Sequence, residues 1–424
     1  MILKLKRVIK NPYVFSIVTK VIVVLVGFLF TVFQSRYLGP TLKGRVSYVL
    51  SVTNITAILF CFGIHQAYPY FKRRTTEDIR PVFLRIAIAF LLSYGVFAFI
   101  LATMFLHDER LIAVAFITPL LVYNRVISYL IMVDNPNRKN SVELAANFVE
   151  LSAVIILYLF LEAEFWLGIA LILLKDLLMA VVYTWELRKI FFAPYHITYR
   201  KVLAIFKFGF YPMLALLMST LNYRIDIIML GNLVSDAEVG IYSIGVMIAE
   251  RIWLIPDAMK EVMVSNLVKG KDENEVAYVI RICNSSCAAL ILFIVALGKP
   301  LINFIFGEQY DGAYGVMVLI LLGVVAMVYY KVIASYNIVQ ARQLTNFMFL
   351  GVSVVANVPM NLLLIPKFGI NGAAIASVGA YCLCAILFVG DFLKNTNIKL
   401  KDILFINHND IGHLKKKIIE KKGV

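Results

Sequence analysis

Charge is scarce in this sequence. Of 424 residues only 16% are Asp, Glu, Lys or Arg, while 61% are hydrophobic, and the mean hydropathy is +0.84. Soluble domains carry roughly a quarter charged residues, so a chain this apolar cannot present an ordinary water-facing surface. A glycine-rich phosphate loop with a following Lys is missing, and so is a Gly-x-Ser-x-Gly nucleophile elbow. ATP-driven work by this chain alone is therefore disfavoured, and no cofactor is expected. Cysteine is sparse. Cys61, Cys283, Cys287, Cys382 and Cys384 lie in or beside apolar runs, lacking the hydrophilic co-ligands of a metal site, and they read as small packing residues. His65, His107, His196, His408 and His413 are scattered and suggest no shared site.

What the chain has in abundance is long apolar runs. Stretches of 18 or more residues recur to about residue 393, each able to cross a hydrocarbon core of about 30 Å. Helices follow, because lipid offers backbone groups no partner. The expected fold is an all-α membrane protein with spans at roughly 13–35, 46–68, 82–106, 111–133, 141–162, 164–185, 205–230, 240–265, 277–297, 313–337, 344–365 and 370–392. The first span is too long for a secretory h-region and reads as retained. Connections are short, the longest central one running from Glu186 to Lys201. They leave no room for a soluble catalytic domain, so an enzyme is not expected.

Basic residues sort by side of the membrane. Lys4, Lys6, Arg7, Lys10, Lys72, Arg73, Arg74, Arg80, Arg138, Lys139, Arg188, Lys189, Arg200, Lys201, Lys269, Lys271, Arg342 and the Lys-rich tail fall on one side; Arg36, Lys43, Arg45, Arg110, Lys299 and Lys367 fall on the other. The positive-inside rule then places both termini in the cytoplasm. The net charge of +15 reports topology and contact with anionic lipid, with no nucleic-acid partner.

Tyr37-Leu38-Gly39-Pro40 with Gly44, Ser47 and Tyr48 is echoed six helices later by Met229-Leu230-Gly231-Asn232 with Gly240, Tyr242 and Ser243. A repeat separated by an even number of spans gives two halves of equal orientation, related about the membrane normal. The expected organisation is a six-helix lobe at 1–190, a cytoplasmic linker at 191–203, a second six-helix lobe at 204–393 and a basic tail at 394–424. The run Asp226-Ile227-Ile228-Met229-Leu230-Gly231, then Val239-Gly240-Ile241-Tyr242-Ser243, resembles the polysaccharide transporters, the Wzx-type flippases of the multidrug/oligosaccharidyl-lipid/polysaccharide (MOP) exporters. Asn361 to Pro366, Phe368 to Ala376, Phe306 to Tyr310 and Ser35 to Pro40 are similar to family positions too.

That resemblance implies a V-shaped transporter of two pseudo-symmetric lobes in a bacterial cytoplasmic (inner) membrane. It also implies a cargo, an oligosaccharide repeat unit on undecaprenyl pyrophosphate, flipped to the outer leaflet for O-antigen or capsule assembly. A polysaccharide polymerase and a chain-length regulator are the protein partners it implies.

Ionisable residues inside spans cost about 2.5–3.5 kcal/mol each on insertion scales and are candidates for function. The bases are Lys20, Arg125, Lys175, Arg224, Arg251 and Lys331, and a diphosphate crossing low dielectric needs such cations. Lys20 and Lys331 are expected near the cytoplasmic end, Lys175 and Arg251 near mid-depth and Arg224 toward the outside. The competing reading is that Glu143, Glu150, Asp176, Asp226, Glu250 and Asp257 neutralise them. Glu143, Asn147 and Glu150 share one helix face, and the two acids are candidates for coupling transport to a proton or sodium gradient. Pro119, Pro212, Pro256 and Pro359 fall within spans and either bend them or simply shape them. Three rivals stand beside the oligosaccharide-flippase reading. A flippase for the peptidoglycan precursor is a relative separable by the helices beyond twelve that such proteins usually carry. An ion-coupled drug exporter on the same fold should favour acids over bases in its cavity, and an integral-membrane glycan polymerase or ligase should carry a sizeable outer loop, whereas the longest here runs only from about Gly298 to Gly312.

Overall fold

The computed structural model describes residues 12–75, 77–104, 107–191, 198–270, 272–406 and 410, with side chains from residue 18 onward. Among the described residues there is no strand. The chain runs through α1 (Pro12–Cys61), α2 (Ile64–Arg74), α3 (Arg80–Met104), α4 (Glu109–Asp134), α5 (Pro136–Phe160), α6 (Phe165–Phe191) and α7 (Tyr199–Leu233). It continues through α8 (Asp236–Glu250), α9 (Leu254–Val268), α10 (Glu273–Phe306), α11 (Ala313–Val339) and α12 (Gln343–Asn395). Short 3-10 turns lie at Arg251–Trp253, Glu308–Tyr310 and Leu400–Ile403.

Ten helical stretches among the described residues are long and apolar enough to cross a membrane. Two of them are too long for one crossing. Helix α1 is interrupted at Gly39 (φ 67°, ψ 173°) and α12 at Gly369 (φ 56°, ψ −135°). A Cβ is strongly disfavoured in those regions, so glycine ends one span and begins the next. Segments 12–38, 40–61, 343–368 and 370–395 are each about one bilayer thick at ~1.5 Å per residue. Pro40 opens its segment, where its missing N–H would have had no partner anyway. Twelve spans result, as the hydropathy reading expects. Pro119, Pro212 and Pro359 lie inside continuous helices. Only Pro256 adjoins a change of helix type: its ring crowds the carbonyl four residues back, and the backbone tightens into the 3-10 turn Arg251–Trp253 between α8 and α9. The connection expected at Gly298 to Gly312 is shorter than read, because α10 runs to Phe306.

The chain divides into two compact units, Met1–Thr220 with Ser235–Gly240, and Leu221–Val234 with Ile241–Val424. The first has two apolar clusters. One gathers Phe30, Leu38, Val46, Ile117, Val154, Phe165 and Ile169; the other gathers Tyr68, Phe83, Val126, Ile127, Met179 and Tyr183. In α1, α5 and α6 the residues lying between these clusters in sequence are polar, Thr53 and Asn54, Asn147 and Glu150, Lys175 and Asp176, and in α4 Asn124 and Arg125 stand among residues of the second cluster. The outer faces stay apolar and uncovered by protein, as at Leu92, Val96, Leu159 and Val181, which suits contact with lipid chains.

The echoed motif separates into two parts. Gly39 breaks a helix, whereas Gly231 lies within α7, so the Leu-Gly elements are not geometrically equivalent. Gly44 and Gly240 do correspond: in the first unit a Cβ on Gly44 would overlap the Asp236 carbonyl, and one on Gly240 would overlap that of Pro40. Only glycine permits so close a backbone crossing.

The second unit is stitched by buried polar groups. Asp226 is 1% exposed; it accepts the Tyr242 hydroxyl, the Ser377 hydroxyl at 3.0 Å and the Ile227 amide at 2.7 Å, tying α7 to α8 and α12. Ser353 donates to Asn222 Oδ1 at 3.0 Å. Paired this way, such groups specify packing while their hydrogen bonds offset part of the desolvation cost.

Candidate functional site

In the first unit, the polar residues between the apolar clusters form a belt with unspent charge. Arg125 Nη2 donates to Asn54 Oδ1 at 2.7 Å, and no carboxylate among the described residues lies within ion-pair distance of it. Lys175 is half-buried and makes no ion pair there either. Glu150 is 4% exposed and has no hydrogen-bond or ion-pair partner among the described residues; the charges nearest to it are those of Lys175, Asp176 and Lys43. Glu143, on the same face of α5, is spent locally on Lys139 of its own helix at 2.9 Å, and not on Arg125 or Lys175. Lys20 lies on α1, exposed and unpaired among the described residues.

Lys43 does not lie in the outer loop that the charge pattern expects. The structure buries it at the start of the 40–61 segment, 7% exposed, with Nζ donating to Gln34 Oε1 at 2.7 Å. Hydropathy missed it because the break at Gly39 draws the residues after it into a span.

In the second unit the charges concentrate around the 3-10 turn. Arg224 of α7 grips Glu250 of α8 through both oxygens, at 3.1 and 2.9 Å, and this forked geometry is the strong form of the pair. Asp226, two residues on, does not serve it. Lys331 of α11 is 12% exposed on its side chain and sits 3.1 Å from Asp257 Oδ1. The same oxygen takes Lys260 at 2.7 Å. Lys331 Nζ also lies 4.8 Å from the Trp253 ring centroid and 5.8 Å from that of Tyr223, within cation–π range. Trp253 is fixed by its indole N–H donating to the Val324 carbonyl at 3.3 Å.

Arg251 begins the 3-10 turn and is the exception. Among the described residues its side chain makes a polar contact only with Met247 Sδ, 3.8 Å from Nη2, and its buried Nε has no acceptor. The neighbouring acid, Glu250, is already committed to Arg224. Across this stretch the bases are Arg224, Arg251, Lys260 and Lys331 and the acids Glu250, Asp257 and Asp226, whose charge also acts on Arg224, one more base than acids. Such a site is charged to receive an anion and carries a donor left without an acceptor.

The polysaccharide biosynthesis protein family matches residues 10–255, more than half of the chain. The chain belongs to this family. Among solved structures, the fold is similar to the lipid II flippase MurJ in an inward closed conformation, at TM-score 0.75 and 12% identity over 92% of this chain and 89% of that one. It is also similar to an inward-facing multidrug resistance MATE transporter of the MOP superfamily, at TM-score 0.69 and 14% identity over 89% and 98%. A third is a MOP superfamily transporter from Pyrococcus furiosus whose binding pocket is described as of reverse polarity, at TM-score 0.60 and 13% identity over 91% and 96%. No curated protein sequence matches the chain. The fold is that of the MOP exporters.

Of the bases singled out in this family member, the second unit sets Lys331 against Tyr223 and Trp253 and Arg224 on Glu250, with Arg251 next to Glu250 and two residues before Trp253. The first unit holds Arg125 and Lys175 in the polar belt near Glu150, with Lys20 exposed on α1. Trp253 and Lys260 escaped the sequence reading. Their signals were present: Trp253 stands two residues from Arg251, and Lys260 stands three from Asp257, the spacing of a helical ion pair.

Proposed function

We propose that this protein is a flippase for lipid-linked oligosaccharide, carrying repeat units on undecaprenyl pyrophosphate from the cytoplasmic to the outer leaflet of a bacterial inner membrane by alternating access. Surface polysaccharide, O-antigen or capsule, is the end product, and a polymerase and chain-length regulator act next on the flipped unit. Membership in the polysaccharide biosynthesis family and a fold shared with a lipid II flippase support a sugar-lipid cargo. The observation that carries the reading is the second-unit cluster, where bases outnumber acids and Arg251 is left without a carboxylate. A diphosphate supplies the acceptors that Arg251 lacks, and charge-assisted bonds of this kind contribute about 1.5–3 kcal/mol each.

The drug-exporter alternative has the MATE likeness in its favour, yet a cationic cargo would face Arg251 and Lys331 in a net-positive cluster, which opposes it. The Pyrococcus furiosus transporter, whose binding pocket is described as of reverse polarity, is consistent with a different cargo on the same fold. Glu150, buried and unpaired among the described residues, is the group we assign to gradient coupling, by a proton or sodium ion; Glu143, held by Lys139, is the lesser candidate. Deleting the gene tests the function directly. Lipid-linked repeat units should accumulate facing the cytoplasm and surface glycan should disappear, and unchanged surface polysaccharide would refute the assignment.

A further inference from the structure

A cavity of about 350 Å³ opens in the first unit where α2 ends, α3 begins and α7 begins. Phe71, Ile79, Val82, Phe83 and Ile205 form its wall, and Arg74 and Lys201 stand among its lining residues. Ile79, Val82, Phe83 and Ile205 are buried, so the interior offers almost nothing but carbon. A sugar would find no hydrogen-bond partner there and would lose water in exchange for nothing. An aliphatic chain fits, and the volume lies at the small end of ordinary ligand pockets, about 300–1,000 Å³.

The mouth is of the opposite character. Helix α2 ends in Lys72-Arg73-Arg74, and α7 begins Tyr199-Arg200-Lys201. Arg74 is held in place by Tyr70: its guanidinium carbon lies 4.4 Å from the Tyr70 ring centroid, its Nη1 donates to the Tyr70 hydroxyl, and Tyr70 in turn stacks on Phe208 with centroids 4.1 Å apart. Stacking leaves most of the guanidinium N–H fork directed away from the ring. Lys201 is 3.3 Å from Glu77, and both are largely exposed, so that pair is weak and exchangeable. These bases sit at the ends of spans, the depth at which lipid phosphates lie.

An apolar slot with a basic rim at headgroup depth matches one class of molecule. We infer that this cavity is a binding site for an anionic phospholipid, one acyl chain in the slot and the phosphate on Arg74 and Lys201. The site is independent of the cargo reading and holds whatever the transporter carries.

The full-length protein in detergent, titrated with phosphatidylglycerol or phosphatidylcholine under native mass spectrometry, tests this. Phosphatidylglycerol should bind as a discrete adduct in preference to phosphatidylcholine. A base near the surface contributes about fivefold in affinity for anionic lipid, so Arg74→Gln with Lys201→Gln should weaken the adduct on the order of tenfold or more. Both side chains are exposed, so their neutralisation spares the fold. Thr75→Trp, at the cavity lining, should block the adduct while leaving the bases in place. Arg73→Gln with Lys207→Gln removes equal charge from exposed positions outside the cavity and should leave the adduct intact. The inference fails if that control weakens binding as much as the Arg74 and Lys201 pair does. It fails equally if inorganic phosphate displaces the lipid, or if undecaprenyl phosphate binds the cavity and phosphatidylglycerol does not.

Discussion

Arg251→Ala separates a base held for cargo from one held for packing, because the structure predicts little change in stability in the first case and a clear loss in the second. Arg251 has no ion pair to lose among the described residues. Its buried Nε is unsatisfied, and an unsatisfied buried donor costs about 1–3 kcal/mol. Truncation removes that cost and also the packing of the alkyl stem, which is worth a comparable amount, so thermal stability in detergent should change by no more than about 1 kcal/mol. Arg224 is the reverse case. Removing it strands Glu250, whose side chain is 15% exposed, and breaking a buried pair costs about 3–5 kcal/mol when dry; because Arg224 is itself 32% exposed, about 1–3 kcal/mol is the fair expectation. Transport should move the other way. Loss of one charge-assisted contact of about 1.5–3 kcal/mol lowers cargo affinity roughly 10- to 150-fold, so Arg251→Ala should cut translocation at least tenfold at normal abundance, and Arg251→Lys should retain part of it. Proteoliposomes loaded with lipid-linked glycan, with outer-leaflet exposure read by a membrane-impermeant glycosidase, provide the rate; scanning fluorimetry provides the stability. Full activity in a stable Arg251→Ala protein would refute the assignment of this side chain to cargo, and a strongly destabilised one would show that it packs.

Asp257→Asn should destabilise the protein by about 1–3 kcal/mol by leaving Lys331 uncompensated, and adding Lys331→Met should restore the melting temperature but not translocation; restored translocation would remove Lys331 from the cargo path. Glu150→Gln should keep the fold and abolish the dependence of transport on an imposed ion gradient, so a gradient response identical to that of the parent would exclude Glu150 from coupling. Gly39→Ala should cost about 1–3 kcal/mol through backbone strain, and circular dichroism melts unchanged from the parent would contradict the conformation at that break. Asp108 caps α4 through the Arg110 amide at 2.8 Å, and the Arg110 side chain holds its carboxyl below the usual carboxylate range. A depressed acid stabilises the folded state above its unfolded value of about 3.9, and that contribution fades as the pH falls through the folded value. Asp108→Asn should therefore lower stability at neutral pH and flatten the acid limb below about pH 4, and an unaltered pH profile would count against the contact.

Class and span count were legible in the residues because both follow from one local quantity. Any run of about twenty apolar side chains must become a helix in lipid, and no neighbour is needed to decide it. The resemblance carried by Asp226 to Gly231 and by Asn361 to Ala376 led to the family that residues 10–255 match. What a charge is for was not legible, since that depends on which helix stands opposite. Asp226 looked like a counterion for Arg224 and is instead held by hydroxyls of α8 and α12, while Glu250 serves Arg224. Lys43 looked like an outer-loop base and lies buried on Gln34, because the glycine break four residues earlier draws it into the membrane. Lys331 and Trp253 are far apart along the chain, and tertiary packing alone makes them neighbours. Sequence determines what each segment must escape from, water or lipid, residue by residue; only the assembled helices decide which buried charge is satisfied, since an electrostatic partner is chosen by distance in space.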